Sequence, residues 1–187
     1  MEHGKIKKYR SIARSIYNYI KESELCDNPP IRVWIDPTNH CNLKCTSCAN
    51  HLIKEKGYME ISLFKKIIDQ LSNYSFEIYI YMSGEPLMHP EIIEMINYTK
   101  RKGLFMNLST NVILLDKEIS LKILDSGIDR ITLSIDTFDK DNYEKNRLCS
   151  DYELVLENII RFLRLRRKYA YNTKVFIRRN ELFVKES

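Results

Sequence analysis

Apolar and polar positions change period along the chain, and each change marks an element. Over residues 5–23 the apolar side chains Ile6, Tyr9, Ala13, Ile16, Tyr17 and Ile20 recur at helical spacing. This predicts an amphipathic helix, with basic residues on much of its other face, packed on the outside of a domain. A helix lying on a membrane surface is the alternative. Asp27-Asn28-Pro29-Pro30 breaks the chain. Residues 31–35 are β-branched and aromatic and predict a first strand. Ser62 caps a predicted helix over 63–72, with Leu63, Ile67, Ile68 and Leu71 on one face. A second strand follows over 77–82, then a loop over 83–90. A helix over 91–102 stops at Gly103. Further strands are predicted at 104–108, 130–135 and 173–178. Between them lie a helix over 116–126 ended by Gly127, a short helix or loop over 139–147, and a longer helix over 152–168.

Strand and helix therefore alternate, which predicts parallel βα units joined by right-handed crossovers. Residues 1–24 read as a helical extension and 25–187 as one α/β core domain. The polar motifs fall directly after strands: cysteines after the first, Ser83-Gly84-Glu85-Pro86 after the second, Asn111 after the third, and Ser134-Ile135-Asp136 at the end of the fourth. Functional groups gather at C-terminal strand ends in barrels and open α/β sheets. Four loops are thus expected at one mouth.

The first of these loops, Asp36-Pro37-Thr38-Asn39-His40-Cys41-Asn42-Leu43-Lys44-Cys45-Thr46-Ser47-Cys48, carries three cysteines at C-x3-C-x2-C spacing. So short a loop can turn three thiolates onto one small object. An iron–sulfur cluster fits, and three local ligands would leave one iron of a cubane open. Zinc also fits if Cys26, His40 or His51 supplies a fourth ligand, although zinc ligands usually come as two pairs. A disulfide framework fits poorly, because the cysteines number five and no signal peptide precedes them.

Composition narrows the class. A chain of 187 residues with 44% hydrophobic residues can bury a core. No apolar run reaches the ~18 residues of a membrane span, and a reducing, cytoplasmic setting is expected. The net charge of +5 gathers in residues 5–10 and 161–168. Nucleic-acid binding is one reading of those runs. Solvated helix faces are the reading favoured here, because the basic residues interleave with apolar ones at helical spacing.

The cysteine motif and its lead-in resemble the radical S-adenosylmethionine (radical SAM) superfamily, in the branch that often carries a C-terminal SPASM extension. The resemblance implies a partial (β/α) barrel of about five βα units of the radical SAM core behind the N-terminal amphipathic helix. It implies that Cys41, Cys45 and Cys48 ligate a [4Fe-4S] cluster whose open iron chelates SAM. The Gly84-Glu85 loop would meet the SAM amino group, Ser134 and Asp136 the ribose, and Arg147 the SAM carboxylate. Asn111 corresponds to a Thr-Asn-Gly element. Ser47 stands where an aromatic residue is common, so only its backbone could meet adenine. Ser83 and Val112 stand where glycines are usual. The implied chemistry is reductive SAM cleavage to a 5′-deoxyadenosyl radical that takes a hydrogen atom from the substrate. Electrons would come from a flavodoxin- or ferredoxin-type protein. The substrate is unidentified, with peptide or carbohydrate-like molecules as the analogy.

Two features set limits on the resemblance. No cysteine follows Cys149, so a SPASM region is not in this sequence, and the sixth strand of the family core is lacking. Either a dimer or partner covers the open barrel edge, or the chain is a truncated or non-catalytic member. A cluster- and SAM-binding protein without turnover and a zinc-stabilised interaction module are the competing functions.

Overall fold

A computed structural model describes residues 2–179. The chain runs α1 (Glu2–Ile20), β1 (Arg32–Ile35), β2 (Lys44–Cys45), α2 (Ile61–Leu71), β3 (Glu77–Ile80), α3 (Ile92–Arg101), β4 (Phe105–Thr110), α4 (Lys117–Asp125), β5 (Arg130–Asp136), α5 (Lys140–Asn146), β6 (Arg147–Leu148), α6 (Tyr152–Lys168) and β7 (Lys174–Arg179). The charged tail from 180 to 187 lies outside the described residues.

Five strands pair in the order β1-β3-β4-β5-β7, all parallel. The order follows the chain because each crossover passes over one face of the sheet, as right-handed βα units require. This is the expected α/β partial barrel, preceded by the expected helix. Period-2 alternation splits each strand between two faces. In β5, Ile131, Leu133 and Ile135 are buried while Arg130, Thr132, Ser134 and Asp136 are only partly so. The apolar face joins Ile78, Ile80, Met106 and Leu108 to Phe64, Ile68, Met95, Ile123, Val155 and Phe162 from the helices. Burying each such side chain stabilises the fold by about 1.5–3 kcal/mol. The opposite face, with Trp34, Tyr79, Asn107 and Arg130 side by side in register, forms the inner wall.

Helix ends obey local chemistry. Side chains of Asp116, Asp139 and Asp151 accept from the amides of Ile119, Asn142 and Leu154 respectively. The Asp139 cap decides the ambiguous 139–147 stretch as a helix. Gly103 (φ 68°) and Gly127 (φ 69°) follow α3 and α4 in the left-handed region, where a side chain is costly.

Two expectations need correction. Ser62 does not cap α2: the helix starts at Ile61, preceded by Glu60, which makes no side-chain cap bond. The Met59 amide bonds the Pro37 carbonyl at 2.7 Å and brings the chain into the helix earlier. The apolar stripe of α1 is not its docking face either. Ile6, Tyr9, Ile16, Tyr17 and Ile20 remain more than half exposed, while Ser11 and Asn18 are buried. The helix is held by hydrogen bonds instead: Ser11 Oγ to the Pro29 carbonyl at 2.8 Å, and Arg14 and Asn18 to Asp27. The Tyr9 ring meets Phe76, just before β3, edge-on at 5.8 Å. The helix thus lies at the N-terminal end of the sheet, away from the loops at the strand C-termini.

Candidate functional site

The cysteine loop is braced by its own polar groups. Thr38 Oγ1 donates to the Gly57 carbonyl at 2.8 Å and accepts from the His40 amide at 3.0 Å. Asn39 Oδ1 accepts from the Gly57 amide at 2.8 Å. Asn50 Nδ2 donates to the Asn39 carbonyl at 2.8 Å and also to the Ser83 carbonyl, which ties the loop to the one after β3. Lys56 Nζ donates to the Asn50 carbonyl at 2.8 Å and to the Asn39 carbonyl at 3.1 Å. No sequence pattern marks Asn50 or Lys56, because both act through contacts distant in the chain.

Gly84 explains why these two loops fit. A Cβ there would stand 2.2 Å from the Thr38 carbonyl oxygen and 2.6 Å from that of His40. The lack of a side chain at Gly84 lets the loop after β3 close on the cysteine loop. The next amide, Glu85, donates to the His40 carbonyl at 2.8 Å.

Glu85 is also buried, and its carboxylate is committed inside the protein. It accepts from Thr110 Oγ1 at 2.7 Å, the Asn111 amide at 2.7 Å and the Leu87 amide at 3.1 Å. Burial pushes its pKa up, opposed by these bonds. These bonds fix the end of β4 against the loop after β3. Asn111 benefits directly. Its Nδ2 donates to Asn42 Oδ1 at 2.7 Å and lies 4.0 Å from Cys41 Sγ. Val112, in the place of a usual glycine, has φ 76° and is fully buried. That conformation costs a β-branched residue roughly 1–2 kcal/mol, so the departure from glycine is strained.

Cys45 and Arg147 are partners in the antiparallel pair β2–β6. Arg147 is 7% exposed. Its Nε donates to Asp136 Oδ2 at 2.6 Å and its Nη1 to the Ser134 carbonyl at 3.0 Å. Burial opposes its charge, but Asp136, with Tyr143 and Cys45, outweighs burial and the guanidinium pKa is raised. Asp136 sits at φ 64°, where the β5–β7 register shifts. Ser134 Oγ lies 3.4 Å from Ser109 Oγ on β4. Tyr143 packs its ring 5.6 Å from the Arg147 guanidinium carbon. Ser47 is exposed on the turn before Cys48.

Cys41 and Cys45 are half-buried and Cys48 is exposed. Burial raises the Cys41 and Cys45 thiols above their ordinary pKa, and for Cys45 the Arg147 charge opposes the rise. Neighbouring thiols raise both further. Among the described residues no three His, Cys, Asp or Glu side chains converge on one ion position. A cubane cluster asks for something different, since each thiolate takes its own iron. Three thiols on one braced loop, with a cation beside one of them, fit that group.

The match to known proteins decides the family. Residues 35–179 match the family model described as the radical SAM superfamily. The chain belongs to the radical SAM superfamily. Its relatives include the tungsten-containing aldehyde ferredoxin oxidoreductase cofactor-modifying protein of Pyrococcus furiosus, 33% identical across 56% of this chain and 30% of that protein. Fe-coproporphyrin III synthase of Methanosarcina barkeri is 30% identical across 71% of this chain and 34% of that protein. The chain thus spans about a third of the length of these curated relatives. Streptococcus suis SuiB has the same fold: bound to S-adenosylmethionine it superposes with TM-score 0.72 at 19% identity, over 94% of this chain and 39% of that one. Bound to the precursor peptide SuiA, it gives TM-score 0.69 at 18% identity, over 94% of this chain and 38% of SuiB. The radical SAM match begins at the last residue of β1 and covers the other four strands of the sheet and all four loops of the mouth.

Proposed function

We propose that this chain is a radical SAM enzyme, with Cys41, Cys45 and Cys48 holding a [4Fe-4S] cluster and the surrounding mouth holding SAM. The observation that carries this reading is the placement of three thiols, on one braced loop, beside Asn111 and the Asp136–Arg147 pair. When bound, the cluster and SAM supply one-electron chemistry: reductive cleavage of SAM and removal of a hydrogen atom from the substrate.

The chain's own residues have narrower tasks. Gly84 lets the loop after β3 press on the cysteine loop. Glu85 holds Asn111 toward Cys41. Ser134 and Asp136 form the ribose side of the mouth, with Asp136 Oδ1 outside the bond to Arg147. Arg147 anchors β6 against Cys45 and keeps positive charge near the thiolates; on SAM binding its fork would meet the SAM carboxylate. The Ser47 backbone edges the adenine side.

A peptide is one substrate class, supported by the peptide-bound SuiB; a carbohydrate-like molecule is the other. A flavodoxin- or ferredoxin-type protein would supply electrons. The test is anaerobic: reconstitute with iron and sulfide, add dithionite and SAM, and measure 5′-deoxyadenosine by mass spectrometry. Product that vanishes in Cys41→Ala, Cys45→Ala and Cys48→Ala is the expected result. A stable cluster with no product would make the chain a binding protein. Tightly bound zinc and no cluster would overturn the reading.

A further inference from the structure

The helices cover one face of the sheet, and its inner wall is a concavity of about 460 Å3. That volume suits a small-molecule site. Its lining includes Tyr79, Asn107, Thr132 and Phe176 together with Arg130, Arg178 and Arg179, and among the described residues no aspartate or glutamate. This wall is separate from the mouth residues assigned above, except that Ser109 belongs to the lining and meets Ser134.

We propose that this wall binds an elongated substrate by its carboxylate or phosphate, with Arg130 as the anion receptor and Asn107 accepting a neighbouring N–H or O–H. The proposal deepens the enzymatic reading above and rests on it for what the bound molecule is used for.

Arg130 is held for that task. Its guanidinium carbon lies 5.2 Å from the Phe105 ring centre and 5.1 Å from that of Phe176. Two aromatic rings fix the plane of the fork and remove part of the entropy cost of binding. Its Nε is buried without a partner among the described residues, and no ion pair among those residues uses it. The contrast with Arg32 is direct, because Arg32 Nε pairs with Glu77 Oε2 at 3.0 Å on the same wall. Asn107 is 3% exposed, yet its Oδ1 has no partner among the described residues. A buried acceptor left open costs about 1–3 kcal/mol, which a ligand donor would relieve. Asn107 and Arg130 are register partners, so acceptor and cation stand next to each other. Such a pair selects an anion with a donor beside it, as in a hydroxy acid, an amino acid or a phosphorylated alcohol.

The strand sets the reach. Arg130 precedes Ser134 by four residues on β5, a rise of about 13 Å. A ligand anchored at Arg130 must therefore extend along the wall to present a carbon at the mouth. Arg178, in register with Ser134, continues the positive charge along that path.

The test measures binding, apart from turnover. The full chain, reconstituted anaerobically, is dialysed to equilibrium against labelled inorganic phosphate and, separately, labelled lactate at constant ionic strength. The cluster absorbance and SAM retention are recorded for every sample. Saturable retention that falls about tenfold in Arg130→Gln, and is unchanged in Arg32→Gln, is the expected result. Arg130→Lys should lie between, since it keeps the charge and loses the fork. Retention of phosphate alone assigns a phosphoryl substrate, and of lactate alone a carboxylate one. No saturable retention of either anion, or equal retention by Arg130→Gln, overturns the proposal. SAM retention should not change in Arg130→Gln; a parallel loss would place Arg130 in the SAM site and also overturn it. Anion binding without 5′-deoxyadenosine formation would defeat the enzymatic reading and leave this site standing.

Discussion

Cys45 and Arg147 face each other as register partners in β2–β6, and the guanidinium of Arg147 reaches on to Asp136 at 2.6 Å. One buried cation thereby connects the cysteine loop to the end of β5. Removing it has consequences for both.

Arg147→Gln leaves the Asp136 carboxylate, 15% exposed, without its cation. The expected loss is about 3–5 kcal/mol. Asp136→Asn with Arg147→Gln should lose less than the sum of the two single changes, because no unpaired charge remains. Urea unfolding of the four proteins in that cycle checks this, and additive losses would deny the pair its coupling.

The same arginine acts on the thiol beside it. Burial raises the Cys45 pKa and Arg147 opposes the rise. In the cluster-free protein, the midpoint pH for Cys45 alkylation by iodoacetamide should lie above that of a free thiol such as N-acetylcysteine. It should move higher still in Arg147→Gln. Mass-spectrometric rates across pH 6–11 (an assay window set about the ordinary thiol pKa of ~8.5) give both midpoints. A downward move in the variant would show that the guanidinium does not stabilise this thiolate.

Gly84 has no room for a side chain, because an added methyl carbon would stand 2.2 Å from the Thr38 carbonyl oxygen. Gly84→Ala should cost about 3 kcal/mol by forcing the two loops apart. Iron uptake on reconstitution should fall with it. Gly57→Ala is the control, since nothing lies within 4 Å of its added carbon. Equal stability of the two variants would contradict the packing described.

Glu85 carries a pH dependence of known sign. Its folded-state pKa is raised, chiefly by burial. Between the unfolded and folded pKa the native state holds the extra proton, so stability falls as pH rises through that window. Glu85→Gln removes that dependence and sets an amide against N–H donors, at a cost of about 1–3 kcal/mol. The cost should therefore be largest at pH below the ordinary carboxylate range and shrink above it. Thermal unfolding of both proteins at several pH values tests the trend, and a cost that grows with pH would reverse the assignment.

Much of the frame is legible in the sequence because β-branched runs between Gly, Pro and Asp punctuation leave little freedom in the choice of strand. Residues 31–35 and 130–135 form β1 and β5 with ends shifted by a residue. The cysteine motif is legible from spacing alone. Pairings between distant segments are not. Asn50 reaching Ser83, Glu85 reaching Asn111 and Arg147 reaching Asp136 each join loops that only the sheet brings together. The face on which α1 docks escapes the pattern for a related reason. Helical spacing reveals an apolar stripe, but Asp27 and Pro29 offer partners to the polar one.

That docking has a thermodynamic signature of its own. Little apolar area is hidden under α1, so its release should carry a small heat-capacity change and respond weakly to warming. The Arg14–Asp27 bridge lies at the surface and is open to counterions. Salt should therefore weaken the attachment of the helix only by the small share that this bridge supplies, while the Ser11–Pro29 bond keeps the helix in place.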